Sequence, residues 1–162
     1  MLGGSRVAKG WQKGCAVSEA GWTVVGLSDL PRVPGREDIE WLPLQHALRL
    51  GAFGTNVFVG PAGGEELIGL HDETGEDGQE EMYVVLAGAV RFELAGEVLE
   101  LRRGDVAAVR DRRVRRRATA TEPGSAVLVV GAPPGSLQRS TWRPEWFADV
   151  PKLEDGDQRA QP

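Results

Sequence analysis

Gly78-Gln79-Glu80-Glu81-Met82-Tyr83-Val84-Val85-Leu86-Ala87-Gly88 is the stretch whose reading decides the fold. Residues 81–86 have the alternation and the Tyr and Val content of a β-strand, and Gly88 ends it. Successive strand side chains point to opposite faces. Glu81, Tyr83 and Val85 therefore share one face, and Glu80, Met82, Val84 and Leu86 share the other. This alternation limits which of these residues can share a pocket.

Similar short units lie on both sides of this one. Strands are expected at 53–59, 67–70, 90–94, 98–101, 106–109, 114–121 and 126–130. Between them fall the turn signals Gly60-Pro61, Gly63-Gly64, Ala95-Gly96, Gly104-Asp105, Pro123-Gly124 and Pro133-Pro134-Gly135. Short strands with turns between them predict an all-β sandwich or barrel. The run Ala126-Val127-Leu128-Val129-Val130 is apolar throughout, as in a strand covered on both faces. Trp22-Thr23-Val24-Val25 reads as a further short strand, and 41–50 is ambiguous between a strand end and a helical turn. Residues 1–21 read as a flexible arm, 22–147 as the domain, and 148–162 as a polar tail. Trp142, Trp146 and Phe147 are expected to anchor the end of the domain on the barrel.

The chain has 162 residues, which suits one domain. Its single cysteine, Cys15, excludes an intrachain disulfide. Two histidines, His46 and His71, exclude a three-histidine metal site. No apolar run approaches the ~20 residues of a membrane span, and the N-terminus has no signal-like apolar stretch, so a cytoplasmic protein is expected. There is no Gly-x-Ser-x-Gly elbow and no phosphate-loop fingerprint.

The net charge of −5 hides a segregation. Residues 65–81 hold eight carboxylates and no Lys or Arg, whereas 102–117 hold eight arginines against Asp105 and Asp111. An acidic chain with no aromatics among those arginines argues against nucleic-acid binding. The expectation is that the two segments meet in the fold.

Three features together carry a resemblance. They are His71-Asp72-Glu73 followed by the Gly-Gln-Glu-Glu strand, then Gly104-Asp105 leading into the arginines, then Pro133-Pro134-Gly135. The chain resembles small bacterial single-domain proteins of the cupin superfamily, over about residues 22–147. The resemblance implies a cupin-type β-barrel, a double-stranded β-helix or jelly roll, and commonly a homodimer. In the first cupin motif, His71 matches the first histidine, Glu73 stands in place of the second, and Glu81 and Gly88 fit the Glu-x6-Gly half. In the second motif Gly104 matches, while Arg110, Arg112 and Arg115 replace proline, glycine and histidine. The resemblance implies that both motifs line one barrel mouth.

The candidate ligand-binding residues are therefore His71, Glu73, Glu81, Tyr83 and Arg115. Arg115 or Arg116 faces inward according to register, since one slip reverses the faces. The expected function is binding of a small polar or anionic ligand in the barrel mouth, with a Glu–Arg ion pair where the family places metal. No catalytic residue is assigned. Two alternatives stay open. One is a metal-dependent enzyme of isomerase or dioxygenase type, with Fe, Mn, Zn or Ni held by His71, Glu73 and Glu81, and with Gln79 in reach. The other is a non-catalytic structural or regulatory dimer with a filled barrel.

Overall fold

The alternation around Glu81 becomes an interior strand of a two-sheet barrel in the computed structural model, which describes residues 22–33, 38–135 and 148–151. In chain order the described elements are a 3-10 turn (Leu27–Asp29), β1 (Glu40–Leu42), α1 (Leu44–Leu48), β2 (Gly54–Gly60), β3 (Glu66–His71), β4 (Glu80–Ala87), β5 (Ala89–Leu94), β6 (Glu97–Arg102), β7 (Val106–Val109), β8 (Arg116–Ala120) and β9 (Ser125–Ala132). One sheet has the order β1-β2-β9-β4-β7 and the other β3-β8-β5-β6, with every pairing antiparallel. No described helix is long and apolar enough to cross a membrane.

The inner faces of the two sheets meet in one core. Tyr83, Val85, Val127 and Val129 from the first sheet pack against Leu67, Val90, Phe92 and Ala118 from the second. Tyr83 and Phe92 stack edge to face with ring centroids 5.0 Å apart. On the outer side of the five-stranded sheet, Leu30, Leu42 and Val57 form a second cluster with Val25, Leu44, Leu86 and Leu128. Val25, Leu30, Leu42, Leu44 and Ala47 thus share a cluster with Leu128 of β9, which is why that strand carries an apolar residue on its outward face as well.

Residues 22–26 are not a strand, contrary to the sequence expectation. No neighbouring strand pairs with them, so the backbone gains no ladder bonds. Only Val25 packs against the outer cluster, while Trp22 and Val24 stay exposed. The ambiguity at 41–50 resolves into both options, the end of β1 and then the single turn of α1. Cys15, the 1–21 arm and the anchors Trp142, Trp146 and Phe147 lie outside the described residues.

Ser125 ties the start of β9 to the start of β5. Its fully buried hydroxyl lies 2.8 Å from the Ala89 carbonyl and 2.7 Å from the Glu122 carbonyl, and accepts from the Ala89 N–H at 3.2 Å. Ser125→Ala strands that buried N–H, and a stability loss of about 1–3 kcal/mol in urea denaturation is expected. A midpoint equal to the parent's would show that the tie contributes nothing.

Candidate functional site

The acidic and arginine segments meet because β3 pairs with β8, with His71 opposite Arg116. Arg117 reinforces this sheet from outside by pairing with Glu93 at 2.7 Å and with Glu66 at 3.9 Å. After β3, the Asp72 carboxylate accepts from the Thr74 hydroxyl at 2.6 Å and the Thr74 N–H at 3.1 Å. Those two bonds hold its pKa below the ordinary carboxylate value and turn the chain back on itself. Glu73 then donates its N–H to the Arg112 carbonyl at 2.8 Å, which fixes its side chain over the mouth. The loop closes so tightly that a side chain at Gly78 would coincide with the Glu73 carbonyl.

Three candidate residues converge here. His71, Glu73 and Glu81 each offer one ligand atom, and these atoms lie within 4.8 Å of one another. The His71 Nδ1 is 2.7 Å from the Gly69 carbonyl. A carbonyl only accepts, so Nδ1 carries a proton and Nε2 is the ring nitrogen turned to the mouth. That Nε2 lies 3.6 Å from Glu73 Oε1 and 3.7 Å from Glu81 Oε2. Glu73 Oε2 accepts the Gln79 N–H at 3.2 Å.

Glu81 is fixed from beneath. Its Oε2 accepts from the Tyr83 hydroxyl at 2.5 Å and from Arg116 Nη2 at 2.5 Å and Nε at 3.0 Å. Arg116 Nη1 donates to the Val114 carbonyl at 2.9 Å, and Nη2 stands 3.8 Å from Glu73 Oε1. The Arg116 side chain is 0% exposed, against 11% for Glu81 and 23% for Glu73. Burial lowers the guanidinium pKa, but the bonds to Glu81 and Tyr83 outweigh it and raise the pKa overall. Burial, followed by the bond to Glu81 and its charge, pushes the Tyr83 phenol up, so its hydroxyl is the donor.

Two expectations need correction. Arg115 is exposed and lines a separate outer groove with Leu70, Asp111 and Arg113, while Arg116 takes the interior place. The cause is the turn before β8, where Asp111 accepts the Arg113 N–H and the Val114 N–H returns to the Asp111 carbonyl. That turn absorbs one more residue than the motif spacing assumes, and the slip swaps the faces. Tyr83 is 1% exposed, so it touches the mouth only through its bond to Glu81. Motif spacing favoured Arg115 and left Arg116 as the alternative register, and it did not reach the Gly69 carbonyl. The alternation Arg116-Ala118-Ala120, small residues on the inward face, was the available signal for Arg116.

No protein-family model matches the chain, and no curated protein matches it. Solved structures do. A sugar phosphate isomerase from a cupin superfamily, from Silicibacter pomeroyi, is 22% identical with a TM-score of 0.55, covering 67% of this chain and 74% of its own. KdgF from Halomonas sp. is 19% identical with a TM-score of 0.54, covering 65% and 88%. A cupin protein from Bacteroides fragilis is 23% identical with a TM-score of 0.53, covering 82% and 98%. The fold they share with this chain is the cupin jelly-roll barrel.

Proposed function

We propose that this cupin barrel binds a small polar ligand at its mouth through a divalent cation held by His71, Glu73 and Glu81. The observation that carries the reading is the convergence of three acceptors. With Nδ1 committed to Gly69, Nε2 faces Glu73 Oε1 at 3.6 Å and the Glu81 carboxylate at 3.7 Å, and because Glu81 Oε2 already accepts from Tyr83 and Arg116, its Oε1 is the oxygen left for a cation. Those separations exceed the ~2.7–3.2 Å of a hydrogen bond. They lie close to the ~3.4 Å between two ligands of a tetrahedral cation with bonds of about 2.1 Å. The donor set of one imidazole and two carboxylates suits Mn, Fe, Zn or Ni, and fewer than four protein ligands leaves positions for a ligand.

A divalent cation there supplies Lewis-acid polarisation of a carbonyl or hydroxyl oxygen. The protein's own residues do the rest. Gly69 fixes the imidazole tautomer, and Arg116 and Tyr83 hold Glu81 by its Oε2. Arg116 also cancels one of the two carboxylate charges, so the cation is held more weakly than two unpaired glutamates would hold it.

That same guanidinium favours a second reading, in which Arg116 is the resident cation and the mouth binds a polar ligand without metal. One experiment separates the two. Titration of metal-free protein with Mn2+ should give one site per chain, weakened by more than about tenfold in His71→Ala. No saturable binding of Mn2+, Zn2+, Ni2+ or Fe2+, or equal affinity in His71→Ala, leaves the metal-free reading.

A further inference from the structure

Beside the triad the inner face of the five-stranded sheet carries two glycines. Glu81 lies opposite Gly131, and Gly131 lies opposite Gly54, so one cross-strand row runs Glu81-Gly131-Gly54. Neither glycine has a positive φ, so backbone conformation does not require them. Space does. A side chain at Gly131 would collide with the Gln79 side-chain oxygen and press on Glu81 Cγ at 3.2 Å. One at Gly54 would meet the side-chain oxygens of Gln79 at 3.3 Å and Gln45 at 3.6 Å. Two glutamine amides therefore lie over a glycine floor that starts at the triad.

Gln45, whose side-chain oxygen lies over Gly54, also lines a second pocket, of about 620 Å³, with Trp41, His46, Arg49 and Asn56. Its aromatic wall is fixed, because Trp41 Nε1 donates to Asn56 Oδ1 at 3.0 Å and the ring packs on Phe58 with centroids 5.8 Å apart. Arg49 caps α1 in the left-handed region at φ 56°, a conformation that costs a non-glycine residue energy and places an arginine on the rim. No described residue pairs with its guanidinium.

We propose that the Trp41–Arg49 pocket is the second half of the ligand site and takes the anionic end of a polyhydroxylated ligand. Trp41 offers a flat apolar face, Gln45, Gln79 and Asn56 offer amides for hydroxyls, and Arg49 offers a forked donor for carboxylate or phosphate. From Glu81 to Gly54 is two strand spacings, about 10 Å, the reach of an extended six-carbon chain with a terminal anion. The proposal rests on the triad reading for the other end of the ligand. It also moves the anion contact from Arg115, which lies in a different groove, to Arg49.

The test uses two six-carbon probes, 6-phosphogluconate for a phosphate end and glucarate for a carboxylate end, in the presence of Mn2+. The readout is the Trp41 indole N–H resonance, assigned with Trp41→Phe. At least one probe should shift it saturably. Arg49→Ala should weaken that probe by about tenfold or more, Gly54→Val should abolish it, and Arg91→Ala should leave it unchanged. Mn2+ affinity should stay at the parent value in Arg49→Ala and Arg91→Ala. No shift with either probe at millimolar concentration overturns the proposal, and so does parent-like probe affinity in Arg49→Ala. Failure of Mn2+ to bind the parent overturns the triad reading instead, and the Trp41 shift still reports on the pocket.

Discussion

Arg116→Leu is expected to destabilise the barrel by about 3–5 kcal/mol, the cost of removing one partner from a buried ion pair. The guanidinium is 0% exposed and makes bonds on three sides, to Glu81, Tyr83 and the Val114 carbonyl. Its removal leaves a carboxylate with little access to water, so the loss measures the stranded charge more than the pair itself. The double variant Arg116→Leu with Glu81→Leu should therefore recover part of the stability that the single variant loses. Urea denaturation decides it. A single-variant loss below about 1 kcal/mol, the range of ordinary surface changes, contradicts the assignment of Arg116 as the internal cation.

Phe92→Ala should cost about 3–5 kcal/mol for a different reason, the lost burial of a ring plus the cavity it leaves. Phe92 is fully buried at the centre of the core, and its ring supports Tyr83 edge to face. The effect should also reach the mouth. Tyr83 donates to Glu81, so a loosened phenol ring frees the carboxylate that the cation needs. Reduced Mn2+ affinity in a still-folded Phe92→Ala protein is the expected result. Unchanged affinity alongside the stability loss would show that Tyr83 holds its position without Phe92.

The barrel was legible because its strands alternate. Glu81-Tyr83-Val85 and the apolar run 126–130 point to their faces without any long-range information. The triad was legible in part, since His71, Glu73 and Glu81 lie close in the chain and the loop brings them together. What failed depends on register and pairing. The Asp111–Val114 turn decides that Arg116 rather than Arg115 points inward, and a one-residue slip there is invisible to motif spacing. Trp22–Val25 has strand-like residues but no partner strand. The row Glu81-Gly131-Gly54 joins three strands far apart in sequence, so nothing local marks those two glycines as a floor. Trp41 and Arg49 read locally as a strand end and a helical turn, and only the fold sets them around one pocket.

The most direct measurement is anomalous scattering at the zinc edge from crystals grown with Zn2+. The account predicts a peak about 2.0–2.2 Å from His71 Nε2 and from one oxygen each of Glu73 and Glu81, with His71 Nδ1 still on the Gly69 carbonyl. Density for those three side chains with no peak between them, and Arg116 still bonded to Glu81, would contradict it.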